Sequence, residues 1–254
     1  MRALCLVGTA AVLLTATVAH ANSVYTVEAT FSGVENKKAV RLASDSGNLY
    51  VWAGLYTFDK GAISPDSTAN PAYYLDPVFG GYCIDLAQVI SPNYTTTWEL
   101  KPLEQAPVNP TGIVMGPDRA TLLRRLWGSH FNDPNAAEFQ VAVWELLAEN
   151  PSNGYGVTTG DGSFYVRTPD DAEVDVSMIN EWLDEVAGAD YIGDEASVMW
   201  AMTSIATQDF AVLIELADEP GGEPSIPEPV TLVGLLTGIG CLTRYVRRRG
   251  APAR

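Results

Sequence analysis

Histidine is nearly missing from this chain of 254 residues, which holds only His20 and His130. His20 falls in an N-terminal leader, so the body of the protein keeps His130 alone. A His-based metal centre and a Ser-His-Asp triad therefore have little to build on. No G-x-S-x-G sequence occurs either. Gly160-Asp161-Gly162 and Asp170-Asp171 are acidic, but they lack the ligand ladder of a calcium loop and read as solvated turns. No metal and no cofactor is expected. Asn93-Tyr94-Thr95 has the form of a glycosylation sequon.

Cysteine is equally scarce. Cys5 and Cys241 lie in the terminal segments, leaving Cys83 alone in the body. The body cannot form an internal disulfide, although its leader directs it to an oxidising compartment. A single thiol there calls for an explanation. Cations are few: 15 Lys and Arg face 31 Asp and Glu, for a net charge of −16. Several of the Arg residues crowd the C-terminus, so the body is more acidic still. Nucleic acid is excluded as a partner, because a phosphate-binding surface needs clustered Lys and Arg. The balance suits a soluble, self-repelling extracellular protein. A hydrophobic fraction of 47% is enough for a core of ordinary size.

Long apolar runs occur only at the two ends. Arg2, the apolar Leu4–Val18 and the small-residue site Ala19-His20-Ala21 make residues 1–21 a secretory signal peptide, with Asn22 as the first mature residue. At the other end a Pro/Gly/Glu linker, 219–225, cannot bury a core. Beyond it stand Ile226-Pro227-Glu228-Pro229, the apolar run Val230–Thr243, and Arg244, Arg247, Arg248 and Arg249. The run is at or below the length that spans a bilayer, and the basic cluster would hold its end in the cytoplasm. Such a segment suits an address better than a permanent anchor.

Pro227-Glu228-Pro229, Thr231-Leu232, the glycines 234, 238 and 240, and Arg247–Arg249 together resemble the PEP-CTERM sorting signal of Gram-negative bacteria. The resemblance implies handling by an exosortase-type membrane protease. It also implies transient membrane anchoring of 226–254, then delivery to the cell surface or the exopolysaccharide matrix.

Between the ends, residues 22–218 read as one α+β domain: an antiparallel β-sandwich or open barrel with a small helical insert. Val24–Phe31 alternates as a half-buried strand does. Leu49–Phe58 and Tyr82–Ile90 continue the pattern, with Gly54 as a bulge and 63–77 as a loop. A helix begins near Pro117-Asp118 and ends at Gly128. A second is expected over 135–149, with Asp133 as N-cap and Asn150-Pro151 as stop. It is apolar nearly all round and so is buried on several sides. A hairpin is expected over Val157–Arg167, a third helix over Val176–Ala187, and closing strands at 198–203 and 210–216.

Two residues stand out as chemistry. Cys83 sits in the strand-like Tyr82-Cys83-Ile84-Asp85. Gln140 sits inside the buried helix, where it must find hydrogen-bond partners. Gln140, Trp144 and Leu147 share one helix face. If that face packs on the Cys83 strand, sulfur and carboxamide meet. Tyr82-Cys83-Ile84 and Gln140-Val141-Ala142-Val143-Trp144 resemble the two motifs of bacterial thioester surface-adhesin domains. Phe139 stands where that motif usually carries Thr. The resemblance implies an internal thioester between Cys83 and Gln140, shielded by Trp144, that captures an amine or other surface nucleophile. On this reading the chain is not an enzyme but an adhesion or matrix cross-linking protein. A non-covalent structural or carbohydrate-binding module is the alternative, with Tyr73, Tyr74 and Trp98 as aromatics for sugar contact. A secreted hydrolase with Asp85 and Glu145 as its acid pair is the third.

Overall fold

The computed structural model describes residues 24–214, apart from 45–46, 108–112, 132, 161, 168–172, 194 and 197. The expected signal peptide, linker and sorting motif lie outside the described residues. Asp161, Asp170 and Asp171 do so too.

The domain is α+β, as expected. Among the described residues, seven antiparallel strands form its sheet: β1 (Tyr25–Ser44), β2 (Gly47–Ser64), β3 (Val78–Cys83), β4 (Thr95–Pro102), β5 (Tyr165–Val166), β6 (Met199–Thr203) and β7 (Phe210–Leu213). The strand order is β2-β3-β7-β6-β4-β1-β5, and β1 also pairs with β2. Among the described residues, six strands thus close into a ring, and β5 hangs on the outer half of β1. The hairpin β1–β2 is much longer than the two short strands expected. Irregularities between Val27 and Ala29, Phe31 and Gly33, and Glu35 and Lys38 bend it without losing its inward face. Val27, Ala29, Phe31, Val40 and Leu42 all stay buried.

Gly54 has the significance expected of it, but the extra residues are on its partner strand. A Cβ there would lie 2.6 Å from the Glu35 carbonyl oxygen. Only glycine lets the two backbones pass where Asn36 adopts a positive φ.

Three α-helices among the described residues pack around the barrel: α1 (Gly116–His130), α2 (Ala136–Ala148) and α3 (Val176–Ala187). Helix α2 packs on β1, β2 and β3 and is flanked by α1 and α3. Every residue from Ala136 to Leu147 is buried, as its all-round apolar sequence requires. It starts later than expected: Asp133–Asn135 form a 3-10 turn, and Asn135 occupies the cap position without a side-chain bond. Helix α3 matches its expected span and is capped by Asp175, whose side chain accepts from the Met178 N–H.

Two strand expectations need correction. The strand 82–90 ends at Cys83, because the Asp85 carboxylate accepts the Ala87 N–H at 2.7 Å and turns the chain away. The hairpin 157–167 is no independent hairpin. Its only strand residues, Tyr165 and Val166, pair with Ala43 and Leu42 of β1. Strand β4, rich in β-branched threonine, was not anticipated at all.

Candidate functional site

Cys83 ends β3 opposite Phe210 of β7, and α2 lies across that end of the strand. The Gln140 carboxamide reaches Cys83 through the backbone of that residue, not through its sulfur. The Cys83 N–H donates to Gln140 Oε1 at 2.8 Å, and Gln140 Nε2 donates to the Cys83 carbonyl at 2.9 Å. The carboxamide is thus clamped against the backbone N–H and C=O of the residue that carries the thiol. Both residues are completely buried. A lone glutamine inside an apolar helix is satisfied here by the strand end, where the β ladder stops and leaves backbone groups to pair.

The Cys83 thiol donates to the Asp85 carbonyl at 3.0 Å. Burial pushes its pKa up to about 12; the hydrogen bond to Asp85 and the Trp144 indole pull it down, and the charges of Asp85 and Asp209 push it up. Trp144 lies one turn along α2 from Gln140, almost fully buried. Its indole N–H makes no full hydrogen bond, yet it lies near enough to the sulfur to favour a thiolate. Tyr56 of β2 is also at the site: burial first, then Cys83, raises its phenol far above the usual value. Tyr82 points to the opposite side, into an aromatic cluster with Phe139, Trp127 and Phe131. Phe139 therefore belongs to the helix–sheet packing.

Asp209 is the functional-looking residue that the sequence did not betray. Burial pushes its carboxyl up to about 7, the Ser204 N–H bond opposes this, and the charge of Asp85 adds to it. Its backbone carbonyl accepts the Ile84 N–H at 2.9 Å, directly beside Cys83. It reaches Cys83 only because β7 pairs with β3 across most of the chain length. A polar residue just ahead of the last strand was the sole hint. The fold favours protonated Asp209, so its contribution to stability is full below pH 3.8 and is lost as pH rises through about 7. Asp209→Asn keeps the acceptor for the Ser204 N–H, 2.7 Å away, and removes the charge. Thermal melts should show the variant more stable than the wild type at pH 8, with the difference closing near pH 4.

The remaining predicted residues go elsewhere. Asp85 and Glu145, offered as an acid pair, are engaged separately. Asp85 turns the chain after Cys83, whereas Glu145 Oε1 accepts the Gly156 N–H at 2.8 Å. Trp98 is fully buried, and its indole N–H donates to the Gln208 carbonyl at 3.3 Å, so it cannot contact a sugar. Tyr73 is exposed and packs edge-on against Tyr74. His130 stacks on Trp182 beside Glu185; burial lowers its pKa, against the pull of Glu185. Among the described residues, no cluster of His, Cys, Asp and Glu could hold a metal ion. No helix among them is long and apolar enough to cross a membrane.

Compared with known proteins, this chain matches no family model, no curated protein and no solved structure.

Proposed function

We propose that this chain is an exported cell-surface or matrix protein that attaches covalently to its partner through a Cys83–Gln140 thioester. The observation that carries the reading is the clamp: Gln140 Oε1 and Nε2 lie 2.8 and 2.9 Å from the backbone N and O of Cys83. These bonds hold the carboxamide beside the residue that carries the nucleophile, and holding two reacting groups together removes part of the entropic barrier to their reaction. The Cys83 sulfur attacks Gln140 Cδ, the C–N bond breaks, the thiol proton passes to the departing nitrogen, and one ammonia leaves. No oxidant or cofactor enters the balance. The Cys83 N–H already points at Oε1, where negative charge gathers as the sulfur adds. Burial then shelters the thioester from water until local opening admits a surface amine, which takes the acyl group and frees the thiol. The leader and the PEP-CTERM-like tail supply the place of action, an envelope or exopolysaccharide matrix reached through an exosortase-type protease.

The test is mass spectrometry of the full chain after export into a bacterial periplasm, with and without methylamine. The expected product is one ammonia lighter, gains one methylamine on treatment, and does neither as Cys83→Ala. An unchanged mass with an alkylatable Cys83 after denaturation overturns the thioester. The non-covalent module is then the reading, favoured by the same two hydrogen bonds, which satisfy Gln140 without any reaction, and by a thiol pushed up to about 12.

A further inference from the structure

The outer half of the β1–β2 hairpin carries a second site, unrelated to Cys83. From the irregularity between Glu35 and Lys38 outward, core-facing and solvent-facing residues alternate as far as Leu42, and Ala43 is buried as well. Val40, Leu42 and Ala53 face the core, and Lys37, Arg41, Tyr50 and Trp52 face solvent. Arg41 is directly opposite Tyr50, and Ala39 directly opposite Trp52. Tyr50 is 68% exposed and Trp52 49%. The Arg41 guanidinium stands over the Tyr50 ring at 6.0 Å, and Lys37 Nζ over Trp52 at 4.8 Å. Arg167 joins them, because its N–H donates to the Arg41 carbonyl where β5 leaves β1. Arg41, Asn48, Leu49, Tyr50 and Arg167 line an open hollow of about 440 Å³.

The charge pattern makes this spot unusual. Lys38, Lys101, Arg124 and Arg125 are each paired with a glutamate. Lys60 and Arg119 are spent on backbone carbonyls. Lys37, Arg41 and Arg167 are the other cations among the described residues, and none of them has a carboxylate partner there. All three gather on one outward face of a chain whose net charge is −16.

We infer that this face binds an acidic polysaccharide, one whose sugar rings carry carboxylates. Each component has its counterpart in such a ligand. A guanidinium fork matches a planar carboxylate. Tyr50 and Trp52, about 7 Å apart along the strand, offer flat surfaces to the C–H faces of successive sugar rings, and the small Ala39 opposite Trp52 leaves the surface beside that ring low. A cation resting over an exposed ring is weakly held, so an arriving carboxylate draws it aside and opens the ring. Nucleic acid fits poorly, since three cations on a strongly acidic chain make too short a track for a dense row of phosphates. The inference does not depend on the thioester, which could fail while this site stands.

The test is calorimetric titration of the exported full chain with a short polygalacturonate fragment at low salt. The same fragment with its carboxyls reduced to alcohols, single-stranded DNA and phosphatidylglycerol vesicles serve as comparisons. The expected result is binding of the polygalacturonate fragment that weakens with salt and is lost on carboxyl reduction. Arg41→Gln and Trp52→Ala should each weaken it about tenfold, without lowering the melting temperature, because both side chains face solvent. Lys101→Gln, which removes a cation already paired with Glu99, should leave it unchanged. Absence of binding, equal loss in Lys101→Gln, undiminished binding in Arg41→Gln and Trp52→Ala, or tighter binding of DNA or vesicles overturns the inference.

Discussion

Gln140→Leu should cost the folded domain about 3–5 kcal/mol, although it places a larger apolar group in an apolar helix. The reason lies in what is left behind. Gln140 satisfies both backbone groups of Cys83, and the site is closed to water. Leucine would leave an N–H and a C=O buried and unpaired, each at roughly 1–3 kcal/mol. For a domain of ordinary stability, about 5–15 kcal/mol, this is a large fraction. Gln140→Glu tests the geometry further. It keeps Oε1 for the Cys83 N–H but sets a second oxygen against the Cys83 carbonyl, so it must hold a proton to stay. Urea unfolding should therefore show Gln140→Glu losing stability steeply as pH rises, and Gln140→Leu losing it evenly at all pH values. If Gln140→Leu unfolds within about 1 kcal/mol of the wild type, the clamp is not the structural element described here.

The legibility of this site differs from that of the barrel around it for a physical reason. Helix α2 was readable because total burial leaves a plain trace, an apolar sequence on every side, and because a polar residue within it has to be answered. The same logic singled out Gln140. The partner strand was readable only up to Cys83. Beyond it, Ile84 and Leu86 continue an apolar pattern, and the turn depends on one carboxylate, Asp85, taking the Ala87 N–H. Strand β4 was missed because Thr95-Thr96-Thr97 resembles a polar loop, while its inward side rests on Trp98 and Leu100 alone. Trp98 consequently looked like an exposed aromatic. The closure of the ring and the arrival of Asp209 at Cys83 are pairings of distant segments, and no local pattern encodes them. The outward face of the β1–β2 hairpin was hidden by the irregularity at Glu35 and Lys38, which breaks the alternation on which strand reading depends.

Glu149→Ala should cost about 2–4 kcal/mol and detach the segment 160–166 from the end of α2. The Glu149 carboxylate is the post around which that segment is wound. Oε2 accepts the Ser163 N–H at 2.6 Å, the Phe164 N–H at 3.0 Å and the Ser163 hydroxyl at 3.2 Å. Oε1 accepts the Asn150 N–H and the Asn153 side-chain amide at 2.8 and 2.7 Å. Gly162 has a positive φ, and a Cβ there would run into the same carboxylate. This explains why 157–167 lies on the helix end instead of folding as a free hairpin. Burial alone would raise the Glu149 pKa; the bonds from Asn153, Ser163, Asn150 and Phe164 outweigh it and hold the group below its ordinary 4.5. The sign follows: the contribution is full above pH 4.5 and is lost as pH falls through the lower folded value. Glu149→Gln, which can still accept through one oxygen, should lose less than Glu149→Ala at pH 7, and the gap between wild type and Glu149→Gln should close in strongly acidic solution, where the Glu149 carboxyl is protonated. Hydrogen exchange at Ser163 and Phe164 locates the effect, because their amides should lose protection in Glu149→Ala while those of β3 and β7 keep theirs. Retained protection at Ser163 would mean that β5 pairing with β1 holds the segment without the carboxylate.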